Sequence, residues 1–549
     1  MDGEVTVSYL SAMGMAGGTV YWWAKRKERI RRVPKEKQKA LLYMLAAVVY
    51  AGIMMYVFFH VQSNPAIHSR NEMVPFFFLT GAWMGYCIGV TVRKKWCERR
   101  ILFAIIVFSS ILQLFFTMVA KFNLTQCDMG NFFTTGDGHA GYIEYLYNNH
   151  LIPAQFDPRE KWQYYHPPLN HIIQAVLLKM QTLCGVDLKV AVKNVQYPTM
   201  LYTMLSTVCA YKIFRELKLR KLPLVLATAV MAFTPAFRYV GILINNDMLS
   251  VLFVLLCILF TIRWYRNPTV KNILKIAVCF GLGALSKLSA VLIAPPIAVV
   301  FIDVLIRRLR NREYQAFGGL MGQMGAFLAV AAPLSLYWSL RNYFRFGVPL
   351  GYVPLSHVDE QYIPQPALQR IFDFNFEMFR NPYLNHLEYY NDFNDYNPLV
   401  TFIKSSATEY GTIRFILGEW AGHVCFWPTL VLALVSFGLM VYVLVKKNSM
   451  PVIGKVFWGL TYLVYLVSYE HFCIQYPYVC TEHVRYALPL IVTGAFFIGK
   501  GIEQLSRRKS RLSRVLTYGT GGTVLVFSLG CIVVSIAYGV IFTIGMMWV

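Results

Sequence analysis

Charge is what this sequence has least of. Asp, Glu, Lys and Arg make up 15% of its 549 residues, while 56% are hydrophobic. A soluble globule carries about 25% charged residues, so a chain wetted on every side is excluded. Acids are scarcer than bases, 28 against 52 Lys and Arg. No tandem repeat or low-complexity tract is evident, so repeat arrays and flexible tethers do not organise the chain. The 11 cysteines show no paired Cys-x-x-Cys spacing. Most lie in apolar stretches, where a small buried hydrophobe is the default and metal binding through sulfur is not expected. Cys473 and Cys480, which flank "IQYPYV", could be oxidised to a bridge; spacing leaves that open.

Long apolar runs are abundant. A helix rises about 1.5 Å per residue, so roughly 20 apolar residues cross a ~30 Å hydrocarbon layer, with every backbone polar group satisfied inside the helix. Segments of that kind fall at about 5–23, 40–60, 74–92, 101–120, 192–211, 223–243, 248–263, 272–286, 288–306, 318–340, 423–445, 456–471, 485–503 and 515–545. The expectation is an all-α polytopic integral membrane protein with roughly 13–14 transmembrane helices. The first segment lacks a basic leader and is followed, not preceded, by its charges, so it is not read as a cleaved signal peptide.

The basic excess is concentrated in seven connectors, 25–39, 93–100, 212–221, 263–275, 307–313, 446–455 and 500–514, which leave the rest of the chain net acidic. Such asymmetry is expected when all seven face the cytoplasm. Basic patches can bind nucleic acid, but here topology and anionic headgroups account for them, and no nucleic-acid partner is expected. Both termini and the long connections 121–191 and 341–422 then fall on the extracytoplasmic side.

Those two connections carry the candidate chemistry. The first contains "GDGHAGYIEYLYNNHLIP" and "WQYYHPPLNHIIQAVLLKM". A Gly-flanked Asp137 opens a short amphipathic helix, and a Tyr-Tyr-His-Pro-Pro turn restarts another near Leu169 that suits an interfacial or re-entrant position. Asp137 is read in two ways, as a helix N-cap or as a functional carboxylate. Asp247 in "LINNDMLS", Lys287 in "GALSKLSAV", Arg341 in "YWSLRNYFRFGVP" and Arg485 in "TEHVRYALPL" sit at the outer ends of spans. Two acids and three cations thus fall on one surface, although each alone could simply snorkel. Asp137, His139 and Glu144 are a ligand set for a divalent ion. On one helix, however, Asp137 and Glu144 would lie two turns or ~10 Å apart, so Asp137 with His139 is the remaining candidate pair. Tyr164, Tyr165 and His166 border the same rim, with an interfacial aromatic belt as the alternative. The second connection holds nine acids against six basic residues and the tract "NPYLNHLEYYNDFNDYNPLV". Its length suits a binding loop for a sugar or acceptor, or an ordered cap.

The ordered series "DGH" with "YYHPPL", then "NND", "ALSKLSAVLIAPP", "WSLRNYFRFGVP" and "RYALPL" resembles the C class of membrane glycosyltransferases, most closely glycosyltransferase family 39. That family includes the dolichyl-phosphate-mannose protein mannosyltransferases and the bacterial aminoarabinose transferases. The resemblance covers about residues 101–500. Residues 1–100 read as additional N-terminal helices, 121–191 as the catalytic loop, and 501–549 as a C-terminal transmembrane helix. Asp137 matches the first acid of a family pair, with Gly138 in place of the second, and His166 stands where Lys often begins the Pro-Pro turn. Asp247 and Lys287 match an outer-end acid and a Ser-Lys turn.

The resemblance implies an inverting transfer of a sugar from a polyprenyl phosphate to an extracytoplasmic acceptor, which could be protein, lipid or cell-envelope glycan. Asp137 would be the general base, with Asp247 beside it in the catalytic set. Lys287, Arg485, Arg341 and His166 would bind the donor phosphate, and His139, Glu144, Tyr164 and Tyr165 the substrate. A divalent cofactor stays possible. With neither a large soluble domain nor a repeat after the core, a bacterial plasma-membrane enzyme is favoured; a eukaryotic one would sit in the endoplasmic reticulum. The alternatives are a lipid-linked-glycan transporter or flippase, and a glycan ligase or polymerase.

Overall fold

The computed structural model describes residues 73–119, 126–354, 361–384, 395–408, 419–508 and 510–544. Among them it is all-α and polytopic, with seven helices long and apolar enough to cross a membrane and no β-sheet beyond one isolated bridge, Tyr362 to Tyr478. In chain order the helices are α1 (Met73–Val92), α2 (Glu98–Val119), α3 (Gly138–Asn149), α4 (Leu169–Leu183), α5 (Leu188–Asn194), α6 (Tyr197–Glu216) and α7 (Lys221–Phe233). They continue with α8 (Pro235–Val240), α9 (Asp247–Arg266), α10 (Val270–Ser286), α11 (Ala294–Arg310), α12 (Tyr314–Phe346), α13 (Ala367–Phe372), α14 (Phe376–Arg380) and α15 (Pro398–Ala407). The last are α16 (Glu419–Val445), α17 (Val452–Gln475), α18 (Pro489–Ser506) and α19 (Arg511–Ile544).

The expected spans at 5–23 and 40–60 lie outside the described residues; each of the others falls on a helix or on consecutive helices. The run at 223–243 is broken at Thr234, where Pro235 cannot donate to the preceding turn, and α8 follows. The run at 288–306 opens with a 3-10 turn, Leu288–Ile293, before α11. Arg341 lies within α12, short of its end at Phe346. Cys473 and Cys480 are both free thiols. Cys473 donates instead to the Thr481 carbonyl at 3.4 Å.

Two compact units divide the chain. Of the described residues, 77–97 belong to one, and 73–76 with 98 onward to the other. In the larger unit α10 packs against α9 and α12, and α18 against α7 and α16. Apolar attraction between helices is weak in lipid, so close backbone approach does more of the work. On α18 a side chain at Gly499 would stand 2.9 Å from the Pro223 carbonyl oxygen, and one at Gly501 2.7 Å from Leu439.

Basic connections cluster at one end of this bundle. Glu98 accepts from the Lys221 amide, and Glu216 pairs with Arg263 at 3.0 Å and with Arg266. At the other end α3, α4 and α5 lie across the connection between α2 and α6, as short helices suited to an interface. A second cap covers that end. Ile363 N donates to the Pro477 carbonyl at 2.8 Å, and the Val484 amide donates to Ser405 Oγ at 3.0 Å. Buried Arg370 pairs with buried Glu482 at 2.6 Å, and Lys404 with Asp395 at 2.8 Å.

Candidate active site

The site is built where the chain returns between spans, at the bundle end away from the basic connections. Gln126 fixes the start of the first loop. Its amide donates to the Ile242 carbonyl at 3.0 Å and its oxygen accepts from the Ile244 amide at 2.6 Å. Two backbone stretches then run side by side, His139 N donating to Asp128 O at 3.2 Å and Ala140 N to Met129 O at 2.7 Å. The approach is possible because Gly138 is a glycine: its φ is +74°, and a Cβ there would stand 2.3 Å from the Met129 oxygen. The position that carries a second acid in the resembling family therefore has no room for any side chain in this chain.

Asp137 holds the N-cap position of α3 with extended backbone, yet its side chain makes no capping hydrogen bond. The carboxylate is half-buried and unspent on the fold among the described residues, so the N-cap reading is not what this geometry offers. Glu144 is engaged, its Oε2 accepting from the Phe133 amide at 2.7 Å.

Six rings form a column beside Asp137. Tyr164 stacks on Tyr142 at 4.7 Å between centroids, Tyr142 on His171 at 4.2 Å, His171 on His139 at 5.1 Å, and His139 on His166 at 5.6 Å. Tyr165 closes the series against His166 at 4.1 Å. His139 Nδ1 and His171 Nε2 share a hydrogen bond of 2.8 Å, and Tyr164 donates to the Gly141 carbonyl at 2.9 Å. Tyr165 and His166 are thus held by backbone and ring contacts, with the Tyr165 carbonyl accepting from Trp338 Nε1 at 3.0 Å.

Burial pushes the three imidazoles below their ordinary value of 6.5, His171 to about 3 and the other two well below it. For His139 the neighbouring His171 and His166 add to that push, and then the charges of Lys287 and Arg485. For His166 the same two cations and His171 contribute. An unfolded chain takes up these protons near pH 6.5 while the native column does not. The stabilisation is therefore complete above pH 6.5 and is lost as pH falls from there towards 3, by up to about 1.4 kcal/mol per pH unit for each histidine. Thermal unfolding in detergent should shift to lower temperature between pH 6.5 and about 5, above the range where ordinary carboxylates titrate. Glu482, raised to about 8 by burial, gains stability as pH falls over the same window, so the check is a difference: a profile unchanged by His171→Gln would contradict a neutral histidine column.

Two ion pairs define the centre. Asp247 begins α9, accepts from Asn245 Nδ2 at 2.8 Å, and pairs with Lys287 immediately after α10. Asn170 of α4 donates to the Asn245 carbonyl at 2.8 Å, and Asn246 donates to the Ser286 carbonyl at 2.9 Å. The "NND" triplet thereby ties three helices together. Arg485, in a 3-10 turn before α18, pairs with Asp128 at 2.6 Å and donates to the Tyr486 hydroxyl at 2.7 Å. Lys287 Nζ and the Arg485 guanidinium lie 5.0 and 4.8 Å from the centroid of the same Tyr486 ring. Arg485 Nε is buried with no hydrogen-bond partner among the described residues. A water-sized cavity of about 10 Å³ adjoins the pair, lined by Asp247, Ser250, Ser289, Tyr465, Arg485 and Tyr486 among others.

Arg341 is occupied elsewhere. Its guanidinium donates to the carbonyls of Pro153 at 3.0 Å and Phe156 at 2.7 Å and to that of Ala154, and it stacks on Trp338 at 4.7 Å. The structure therefore brings together Asp247, Lys287 and Arg485, adds Asp128 and Tyr486, and sets the histidine column within reach of the two cations' charge. Asp128 and His171 carry no motif of their own, and sequence reasoning misses Tyr486 within "RYALPL"; the one sequence signal for Asp128 is an acid in the first loop after α2. Among the described residues no group of three or more His, Cys, Asp and Glu is placed to hold a metal, and His139 Nδ1 is committed to His171. Among the described residues, Asp137 and His139 thus have no third His, Cys, Asp or Glu placed with them.

A family model described as dolichyl-phosphate-mannose-protein mannosyltransferase matches residues 166–338. A C-class glycosyltransferase-like domain is thus detected over that stretch. It begins on His166, contains Asp247 and Lys287, and ends at Trp338; Asp128, Asp137 and Arg485 lie outside it. No curated protein matches the chain.

Proposed function

We propose that this protein is an inverting glycosyltransferase that uses a polyprenyl-phosphate sugar as donor and acts at the extracytoplasmic face. The observation that carries the proposal is the pair of cations, Lys287 and Arg485, over one Tyr486 ring at the bundle end away from the basic connections. The matched family domain and the multi-pass apolar bundle support it. A donor with an isoprenoid tail needs lipid alongside and fixed positive charge at the rim, and this arrangement supplies both.

In the reaction the anomeric C–O bond to phosphate breaks as the acceptor oxygen bonds the same carbon from the opposite face. Asp137 accepts the acceptor's proton. The departing polyprenyl phosphate keeps the bonding electrons, and Lys287 and Arg485 stabilise that charge more in the transition state than in the bound donor. The unpaired Arg485 Nε–H is a donor left free for a phosphate oxygen. His166 borders the same cations as a neutral imidazole. Tyr164 then serves by bonding the Gly136 and Gly141 carbonyls on either side of Asp137, His139 by bonding His171, and Arg341 by fixing the 153–156 turn, rather than by touching the sugar.

Purified protein in detergent, given radiolabelled polyprenyl-phosphate sugar and an envelope-lipid or peptide acceptor, should release free carrier phosphate and label the acceptor. Movement of intact lipid across a vesicle membrane, without release of carrier phosphate, would instead establish a flippase.

A further inference from the structure

The cap formed by the second long connection carries an apolar stripe that is exposed among the described residues. Its sequence is "ALQRIFDFNFEMFR", residues 367–380. Arg370 and Met378 turn inward and are buried. Asp373 accepts from the Tyr396 hydroxyl, and Asn375 caps α14 by accepting from the Glu377 amide at 3.1 Å. Between these anchors the backbone at Asp373 is extended, with ψ of 109°, and Asn375 has left the helical region, with ψ of 131°. Alternate residues then face opposite ways, so the polar pair points in while the phenyl rings point out. Phe372, Phe374 and Phe376 are 71%, 48% and 85% exposed, and Leu368 is 72% exposed.

The surroundings fix where this stripe lies. Phe376 meets Phe379 at 6.4 Å between ring centroids, Phe379 meets Phe426 at 6.5 Å, and Phe426 meets Trp427 at 5.3 Å. Phe426 and Trp427 belong to the membrane span α16, on which Trp420 and Trp427 are exposed by 54% and 45%. Gly422 of the same span packs directly against Pro382 and Tyr383, where a Cβ would come within 2.6 Å of the proline ring. The stripe therefore reaches, through Phe379 and the buried Phe426, the beginning of a span that exposes Trp420 and Trp427, the depth at which Trp residues mark the boundary between headgroups and acyl chains.

We propose that Leu368, Phe372, Phe374 and Phe376 form a monotopic membrane anchor that inserts into the leaflet at the active-site end of the bundle. The occupant is lipid, because the stripe adjoins the end of a membrane span that exposes Trp420 and Trp427, and its phenyl rings are bare among the described residues. Exposed phenyl rings in water are unfavourable, and insertion removes them from it. Through Arg370 and Glu482 the anchored cap also grips the connection that bears Arg485, so insertion sets the site at a defined depth.

Photo-crosslinking tests this. Full-length protein carrying p-benzoylphenylalanine in place of Phe374 or Phe376, one position at a time, is placed in nanodiscs of phosphatidylcholine and phosphatidylglycerol and irradiated. A variant labelled at exposed Glu160, in a turn outside the interfacial helices, serves as the aqueous reference. Mass analysis should find phospholipid adducts attached through the acyl chain at 374 and 376, about tenfold above the reference, as expected for side chains below the headgroups. These positions are exposed, so the replacements leave the core intact. Crosslinks to a second copy of the chain, or lipid adducts no more frequent than at 160, would overturn the anchor.

Discussion

Asp137→Asn is expected to lower turnover by about 10²- to 10⁴-fold, the range for removing a positioned general base. Folding should be untouched. The carboxylate makes no capping bond in the structure, and Asn caps helices as well as Asp does, so even a cap formed in solution would survive the exchange. Melting temperature and the binding of a non-transferable donor analogue should match the unmodified protein, with the loss confined to kcat. Near-normal turnover would remove Asp137 from the mechanism. Asp128→Asn is the informative comparison, because Asp128 is paired with Arg485 at 2.6 Å and acts through it. If Arg485 binds the donor phosphate as proposed, losing that carboxylate loosens a cation rather than removing a proton acceptor, so KM for the donor should rise more than kcat falls. A reversed pattern, with Asp128→Asn abolishing kcat and Asp137→Asn tolerated, would transfer the base to Asp128.

The membrane architecture was legible because its signal is local. A run of apolar residues must be helical in lipid whatever its neighbours do, and the basic connectors mark one end of the bundle by composition alone. The break at Thr234 followed the same logic through Pro235, although the apolar run concealed it. Partner choice was not legible. Arg485 and Asp128 are 357 residues apart in sequence, and nothing near either names the other. Asp247 and Lys287 were visible as outer-end charges, but their pairing depends on α9 and α10 meeting side by side. Arg341 shows the reverse: its position in a motif suggested a phosphate ligand, while its donors are occupied by the carbonyls of 153–156. The pairing of His139 was hidden because its partner, His171, comes from a different helix. Gly138 was read as a missing acid, whereas its positive φ and contact with Met129 make glycine a requirement.

Lys287→Met should cost both stability and activity, and a double variant should separate the two. Lys287 and Asp247 form an ion pair whose side chains are 12% and 3% exposed. Removing the ammonium leaves Asp247 buried, with Asn245 as its remaining side-chain donor among the described residues; breaking one side of such a pair typically costs about 3–5 kcal/mol. Adding Asp247→Asn removes the uncompensated charge, keeps the shape, and should restore most of that stability. Activity should not return, because the phosphate still lacks a cation that stabilises its developing charge; the loss of one such contact is about 10²- to 10³-fold. Unfolding temperature and donor turnover measured across the four members of the cycle decide the matter. If Lys287→Met turns over donor normally, the cation does not serve the phosphate. If the double variant is no more stable than Lys287→Met, the stranded charge at Asp247 is not the source of the defect, and the pair does not hold α9 against α10.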